Sequence, residues 1–274
     1  MSTATVATLR RDIDAIRSRL APDRPALSPL AVADRAGLAP DPWQRHLLQS
    51  EARQIIMLAS RQSGKSTVTA VLAAQQAAYG PDTLTLLLSP SLRQSQELYR
   101  KVRHILAPLG EAAPPPAEES ALRLELSNGA RVVCLPGRES TVRGFSAPTL
   151  VIEDEASRVP DDLYMAIRPM LATSGGRLVL LSTPFGKRGH FHQEWAEGGP
   201  EWERFKVTAD QCPRIDPGWL AKERATIGDW WFSQEFLCEF MEAEDQLFRD
   251  EDIAAAFDPN LMPLFPSEET QHVA

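Results

Sequence analysis

Four short apolar runs punctuate the chain, at 54–58, 84–88, 149–152 and 177–181. Each is rich in Leu, Ile or Val and gives way to polar or turn residues, the pattern of strands buried on both faces. The second of them is ended by Ser89-Pro90. Helical stretches alternate with these runs. Thr67 to Tyr79 is Ala-rich and free of Pro and Gly, Ser91 to Leu106 follows the second run, and Asp161 to Leu171 follows the third. Pro169 is expected to interrupt the last of these helices. Leu122 to Leu126 alternates, Ser127-Asn128-Gly129 turns, and Ala130 to Leu135 runs apolar again, a hairpin pattern. Trp202 to Val207 alternates as an edge strand does, whereas 112–119, with three consecutive prolines, reads as a surface loop. Further helices are expected from Pro40 to Leu48, Trp219 to Arg224, Trp230 to Phe240 and Asp250 to Phe257. Strands alternating with helices predict an α/β fold, a mostly parallel sheet covered on both faces.

The two ends of the chain are of another kind. Val6, Leu9, Ile13, Ile16 and Leu20 recur at helical spacing, so an amphipathic helix opens the chain, and Pro22, Pro25 and Pro29 make the next stretch a linker. The expected organisation is therefore an N-terminal helix and Pro-rich linker over 1–37, one domain over 38–245, and a short helix with a disordered tail over 246–274. No apolar run approaches the ~20 residues that cross a bilayer. Cys134, Cys212 and Cys238 are odd in number and scattered, as suits buried thiols in a reducing cytoplasm. The formal net charge of −8 excludes a protein that coats nucleic acid all over its surface, but leaves room for a local basic face. Arg93, Arg100, Lys101, Arg103 and His104 on the helix from Ser91 form the strongest such face, suited either to DNA or simply to solvent.

The first run leads directly into Ala59-Ser60-Arg61-Gln62-Ser63-Gly64-Lys65-Ser66-Thr67. Strand, tight loop and a helix opening with Gly-Lys-Ser is the context of a phosphate-binding loop. Backbone N–H groups at a helix N-terminus face a polyphosphate, Lys65 reaches the β/γ-phosphates, and the Ser66 hydroxyl is placed to ligate Mg²⁺. Ala59 stands where the strict pattern has its first Gly, and Ala does not accept positive φ. The third run ends in Glu153-Asp154-Glu155 and resembles a Walker B strand. Asp154 is suited to the metal's water shell, and Glu155 to deprotonating the attacking water. Ser182-Thr183-Pro184 closes the fourth run, either as a sensor beside the γ-phosphate or as an ordinary turn. Gln44, upstream of the loop, is either an adenine reader, with donor and acceptor on one amide, or a solvent-facing helix residue.

In combination these residues resemble the ATPase domain of the large terminase subunit, the motor of viral DNA packaging. Ser60 to Thr67 is similar to that family's deviant phosphate loop, which carries Arg-Gln and often lacks the first Gly. Pro42-Trp43-Gln44 is similar to its adenine element, Arg143-Gly144 to the segment before Walker B, and Ser182-Thr183-Pro184 to its coupling motif. The resemblance implies a P-loop NTPase of RecA-like (ASCE) type, with three layers, using ATP and Mg²⁺ to translocate double-stranded DNA. It implies a homo-oligomeric ring in the host cytoplasm, with a portal protein and a small terminase subunit as partners and no membrane. Arg61 acting in cis and Arg143 in trans are the two candidates for an arginine finger. Full-length relatives continue into a nuclease, which is not expected here, since Asp245, Asp250, Glu251 and Asp252 lie in a hydrophilic linker or helix cap rather than at strand ends. A helicase-like remodeller and a non-catalytic nucleotide-binding remnant or assembly protein are the competing functions. No second strand-loop-helix repeat supports the former, and intact Lys65, Asp154 and Glu155 speak against the latter.

Overall fold

The computed structural model describes residues 25–242, so the helices expected at either end of the chain and the acidic residues from Asp245 onward lie outside the described residues. Eight strands form one sheet in the order β3-β4-β5-β2-β6-β7-β1-β8. They are β1 (Gln54–Ala59), β2 (Leu84–Ser89), β3 (Pro116–Glu119), β4 (Arg123–Leu126), β5 (Arg131–Pro136), β6 (Leu150–Asp154), β7 (Arg177–Ser182) and β8 (Trp202–Val207). The six from β5 to β8 in that order are parallel, while β4 pairs antiparallel with both β5 and β3. Gln54 pairs with Leu178 on one side and Trp202 on the other, so β1 is an inner strand buried throughout its apolar run. One strand, β7, separates β1, which leads into the Gly64-Lys65-Ser66 loop, from the acid-bearing strand β6.

Successive side chains leave a strand by opposite faces, and the strands here divide accordingly. Ile55, Met57 and Ala59 enter one core, while Ile56 and Leu58 enter the other. The first core is closed by α1 (Pro29–Arg35), α2 (Pro42–Gln49), α3 (Lys65–Tyr79) and α4 (Leu92–Leu106). Ala70, Ala73, Ala74 and Ala77 on α3 are all essentially buried, so this helix approaches its neighbours closely. Leu98, Tyr99, Val102 and Ile105 form the buried stripe of α4. The second core lies under α6 (Asp161–Ser174) and α7 (Gly189–Ala196), with α5 (Glu139–Val142) a single turn between β5 and β6. A small cluster of Ala209, Leu220, Phe232 and Phe236 holds α8 (Pro217–Ile227) and α9 (Asp229–Glu235) together.

Four expectations are corrected. Residues 29–35 are a helix rather than linker, capped by Ser28 and held by fully buried Val32 and Ala33, so the compact body starts before Leu38. The compact unit ends at Met241. The Pro-rich stretch supplies β3, an exposed edge strand where Pro and Glu are at home. The α6 helix runs through Pro169, because that residue faces solvent and the carbonyl it frees is on the open side. Finally, α9 stops at Glu235 instead of reaching Phe240, and Cys238 beyond it adopts φ 56°. The three cysteines are free and buried, as expected.

Candidate active site

The loop between β1 and α3 takes its shape from two positive-φ residues, Gln62 (61°) and Gly64 (92°). Ala59 is not one of them; it completes β1, fully buried, with ordinary strand backbone. The missing glycine is therefore no defect here. Gly64 is the position without an alternative, since a Cβ there would lie 2.8 Å from Gln44 Nε2. Ser63 Oγ donates to Ser60 O at 2.8 Å and braces the turn from within, and Ser60 N–H donates to Val207 O at 2.9 Å. The side chains of Ser60 and Ser63 are fully buried, so these residues shape the loop instead of presenting hydroxyls to a ligand. The N–H groups of Gln62, Ser63 and Gly64 have no acceptor among the described residues. Oriented backbone donors of this kind form an anion-binding concavity.

Lys65 and Ser66 open α3 and face the end of β6. Lys65 is 7% exposed, and its Nζ lies 3.1 Å from Glu155 Oε1. Ser66 Oγ donates to Asp154 Oδ2 at 2.8 Å. Burial, and then the charge of Glu155, push the Asp154 carboxyl above its usual range, while Lys65 and the Ser66 hydroxyl pull the other way. A hydroxyl and a carboxylate converging in this way fit a hard cation that keeps waters and shares a phosphate, as Mg²⁺ does. Glu155 itself has left-handed backbone (φ 57°, ψ 42°), which swings its carboxylate from the strand end back toward Lys65. Its other oxygen is 3.4 Å from Ser182 Oγ.

Two segments meet around that contact. Ser157 Oγ is 2.6 Å from Ser182 Oγ and donates to Thr183 O at 2.9 Å, so the turn after Glu155 is stitched to the end of β7. Thr183 is almost entirely buried and contributes its carbonyl to this link. The Asp-Glu-Ala-Ser sequence held the only clue to Ser157, two residues beyond Glu155.

On the other side of the loop, a pocket of about 320 Å³ is bounded by Leu38, Pro40, Leu48, Gly64, Thr67 and Val71, with Gln44 and Arg214 as its polar groups. Gln44 is 7% exposed, which removes the reading of it as a solvent-facing residue. Its Oε1 accepts from Asp41 N–H at 2.9 Å in the cap of α2, leaving the amide nitrogen as its free hydrogen-bonding end. Arg214, to which no local sequence pattern pointed, donates to Asp41 Oδ1 at 2.9 Å and to Ser63 O at 2.8 Å, tying the Gln44 helix to the phosphate loop. A larger cavity of about 500 Å³ lies between the end of α4 and β3–β4, lined largely by Leu, Ala and Pro, and is remote from these groups.

The arginines stand apart. Arg61 turns outward, with its guanidinium on Glu235 and its N–H on Glu235 O at 3.3 Å. Arg143, just after α5, is largely exposed and paired with Glu139, with Nε donating at 3.0 Å. Lys65, Ser66, Asp154, Glu155 and Ser182 are thus brought together, Gln44 and Thr67 border the adjoining pocket, and Arg61 and Arg143 point elsewhere.

The chain is 26% identical over 246 residues to the large terminase subunit of Thermus phage G20c, which covers 77% of this chain and 51% of that protein. The large terminase subunit of Escherichia phage T5 is 24% identical over 205 residues, covering 72% and 46% respectively. The chain spans about half the length of these curated relatives. Among solved structures, the large terminase ATPase domain of Thermus phage P74-26 superposes with a TM-score of 0.68 at 23% identity, covering 76% of this chain and 97% of that one. The large terminase of another thermophilic bacteriophage, solved in complex with ADP, gives a TM-score of 0.60 at 13% identity, covering 79% and 54%. The profile of the family described as "Terminase large subunit, T4likevirus-type, N-terminal" matches residues 56–255, and the chain belongs to that family.

Proposed function

We propose that this chain is the ATP-hydrolysing motor domain of a phage packaging machine, which converts ATP turnover into translocation of double-stranded DNA. The observation that supports it most directly is the convergence of Lys65 on Glu155 at 3.1 Å beside the Ser66–Asp154 hydrogen bond at 2.8 Å. Family membership supports packaging as the process that these groups serve.

In this reading the free N–H groups of the loop hold the β- and γ-phosphates, and Lys65 neutralises them. Ser66 and Asp154 would hold Mg²⁺, which would supply charge neutralisation for the phosphates. Glu155 takes the proton of a water as it attacks the γ-phosphorus, and the leaving group is ADP. The adenine base occupies the pocket by Gln44 and Arg214. Ser182 touches Glu155 and, through Ser157, shares its hydrogen bonds with the turn behind it, so loss of the γ-phosphate is relayed to the end of β7. Arg61 works in cis on release from Glu235, and Arg143, already on the surface, in trans within a homo-oligomeric ring. A portal protein and a small terminase subunit complete the machine in the host cytoplasm. DNA-stimulated phosphate release by the purified protein tests the reading; hydrolysis absent both with and without duplex would refute it.

A further inference from the structure

We propose that Arg158 and Arg188, stacked on Phe185, form a contact for the phosphate backbone of DNA at the rim of the nucleotide site. The inference rests on the translocase reading above and gives it a point of contact. The Arg158 guanidinium lies 3.9 Å from the centre of the Phe185 ring, and that of Arg188 lies 4.5 Å from it. The two cations are therefore no more than about 8.4 Å apart, the two ring distances laid end to end.

Both side chains belong to exposed residues, and neither has a carboxylate partner among the described residues. That sets them apart from Arg61, Arg103, Arg143, Arg214 and Arg224, each of which is paired with an Asp or Glu. In a chain with a formal net charge of −8, two unneutralised guanidiniums on one ring are a local inversion of the prevailing sign. Such a spot accepts a polyanion that the rest of the surface repels. A guanidinium held over an aromatic ring keeps N–H donors available at its edge, which suits a phosphate. The helix α4, the more obvious basic face in the sequence, is weaker in the fold, because Glu97 and Glu119 neutralise Arg100 and Arg103.

The position also explains how DNA would reach the chemistry. Arg158 ends the turn that begins at Glu155, and its N–H donates to Glu155 O at 2.9 Å. Phe185 follows Thr183 by two residues, and Ser157 bonds both Ser182 Oγ and Thr183 O. The two cations thus hang from the two segments that carry Glu155 and Ser182. A phosphate that draws them together acts on both sides of the catalytic contact.

The test is binding of the full chain to a short fluorescent duplex, followed by anisotropy across a salt series. The doubly substituted Arg158→Gln, Arg188→Gln protein is expected to lose affinity by about tenfold or more, and its log–log salt dependence should be less steep by about 2. Arg158→Lys, Arg188→Lys should keep the slope while losing part of the affinity, which separates lost charge from lost fold; the melting temperature checks the latter. A double Gln variant that melts normally and binds with the parent's affinity and slope overturns this contact and leaves the motor reading intact. A parent protein that binds no duplex even at low salt overturns both.

Discussion

Lys65 Nζ lies 3.1 Å from Glu155 Oε1, so the cation proposed to meet the γ-phosphate and the carboxylate proposed as the base share one contact. In the proposed mechanism a γ-phosphate competes with Glu155 for that ammonium, and winning the competition sets the base free. Lys65→Ala should therefore abolish detectable nucleotide affinity. Glu155→Gln should still bind nucleotide while turnover falls by about 10²–10⁴-fold. A fluorescent ATP analogue and a phosphate-release assay measure the two; equal turnover in Glu155→Gln and parent would remove Glu155 from the role.

Ser157 offers a finer test of the relay. Ser157→Ala deletes the bonds to Ser182 and Thr183 without touching the nucleotide groups. A hydrogen bond of this kind contributes about 0.5–1.5 kcal/mol; lost in full from the transition state, that lowers kcat about 2- to 13-fold with nucleotide affinity unchanged. A drop in affinity with kcat intact would place Ser157 in binding instead.

The arginines are separable by mixing subunits under conditions where they assemble. Arg143→Ala combined with Glu155→Gln should regain hydrolysis if Arg143 serves a neighbour's site, each subunit supplying what the other lacks. Arg61→Ala should gain nothing from the same mixture. The reverse pattern would exchange the two assignments.

The backbone of Ala59 predicts that restoring the consensus glycine brings no benefit. Ala59→Gly should leave nucleotide binding as it is and lower stability by about 0.5–1 kcal/mol, the usual effect of Gly inside regular structure. Gly64→Ala should lose nucleotide binding, because of its φ of 92° and the approach of Gln44. Thermal melts and analogue titration of both variants decide the point.

Stability should also depend on pH through His190, which is 3% exposed with Nε2 at 2.8 Å from Glu153 Oε1 and Nδ1 at 2.9 Å from Asp161 Oδ1. Burial alone would lower its pKa, but the hydrogen bonds and charges of Glu153 and Asp161 outweigh it and hold the imidazole above its ordinary value. A histidine raised on folding stabilises the protein fully below its unfolded pKa, near 6.5, and that contribution disappears as pH rises through the folded value. The melting temperature of the parent should fall over that interval more than that of His190→Gln. Parallel pH profiles for the two would show that folding does not shift His190.

The parts of this molecule legible in the sequence are those whose cause is local. The runs at β1, β2, β6 and β7 are apolar because both of their faces are covered, and Gly64-Lys65-Ser66 follows a strand as a phosphate loop must. Helices α1 and α7 were not legible: the first is seven residues between prolines, the second eight residues with a Gly start and two His. Partners distant in sequence were equally hidden. Arg214 is 173 residues from Asp41, and Glu235 is 174 from Arg61, so no window of the chain contains either pair. Ion pairing also decides what the basic helix α4 and Arg143 present to their surroundings: Glu97 and Glu139 stand one helical turn from Arg100 and Arg143 in the sequence itself, whereas Glu119 meets Arg103 only through the fold.

Strand β6 sends Asp154 toward Ser66 on one side of the sheet and Glu153 toward His190 on the other. This alternation makes the strand intolerant of length changes in a way that neither residue alone would. Inserting or deleting one residue between Leu150 and Glu153 would exchange the two acids, turning Glu153 to the nucleotide and burying Asp154 opposite an imidazole that its shorter side chain cannot reach. Lineages descending from this sequence can therefore change the count within β6 only in steps of two if both pairings are to survive.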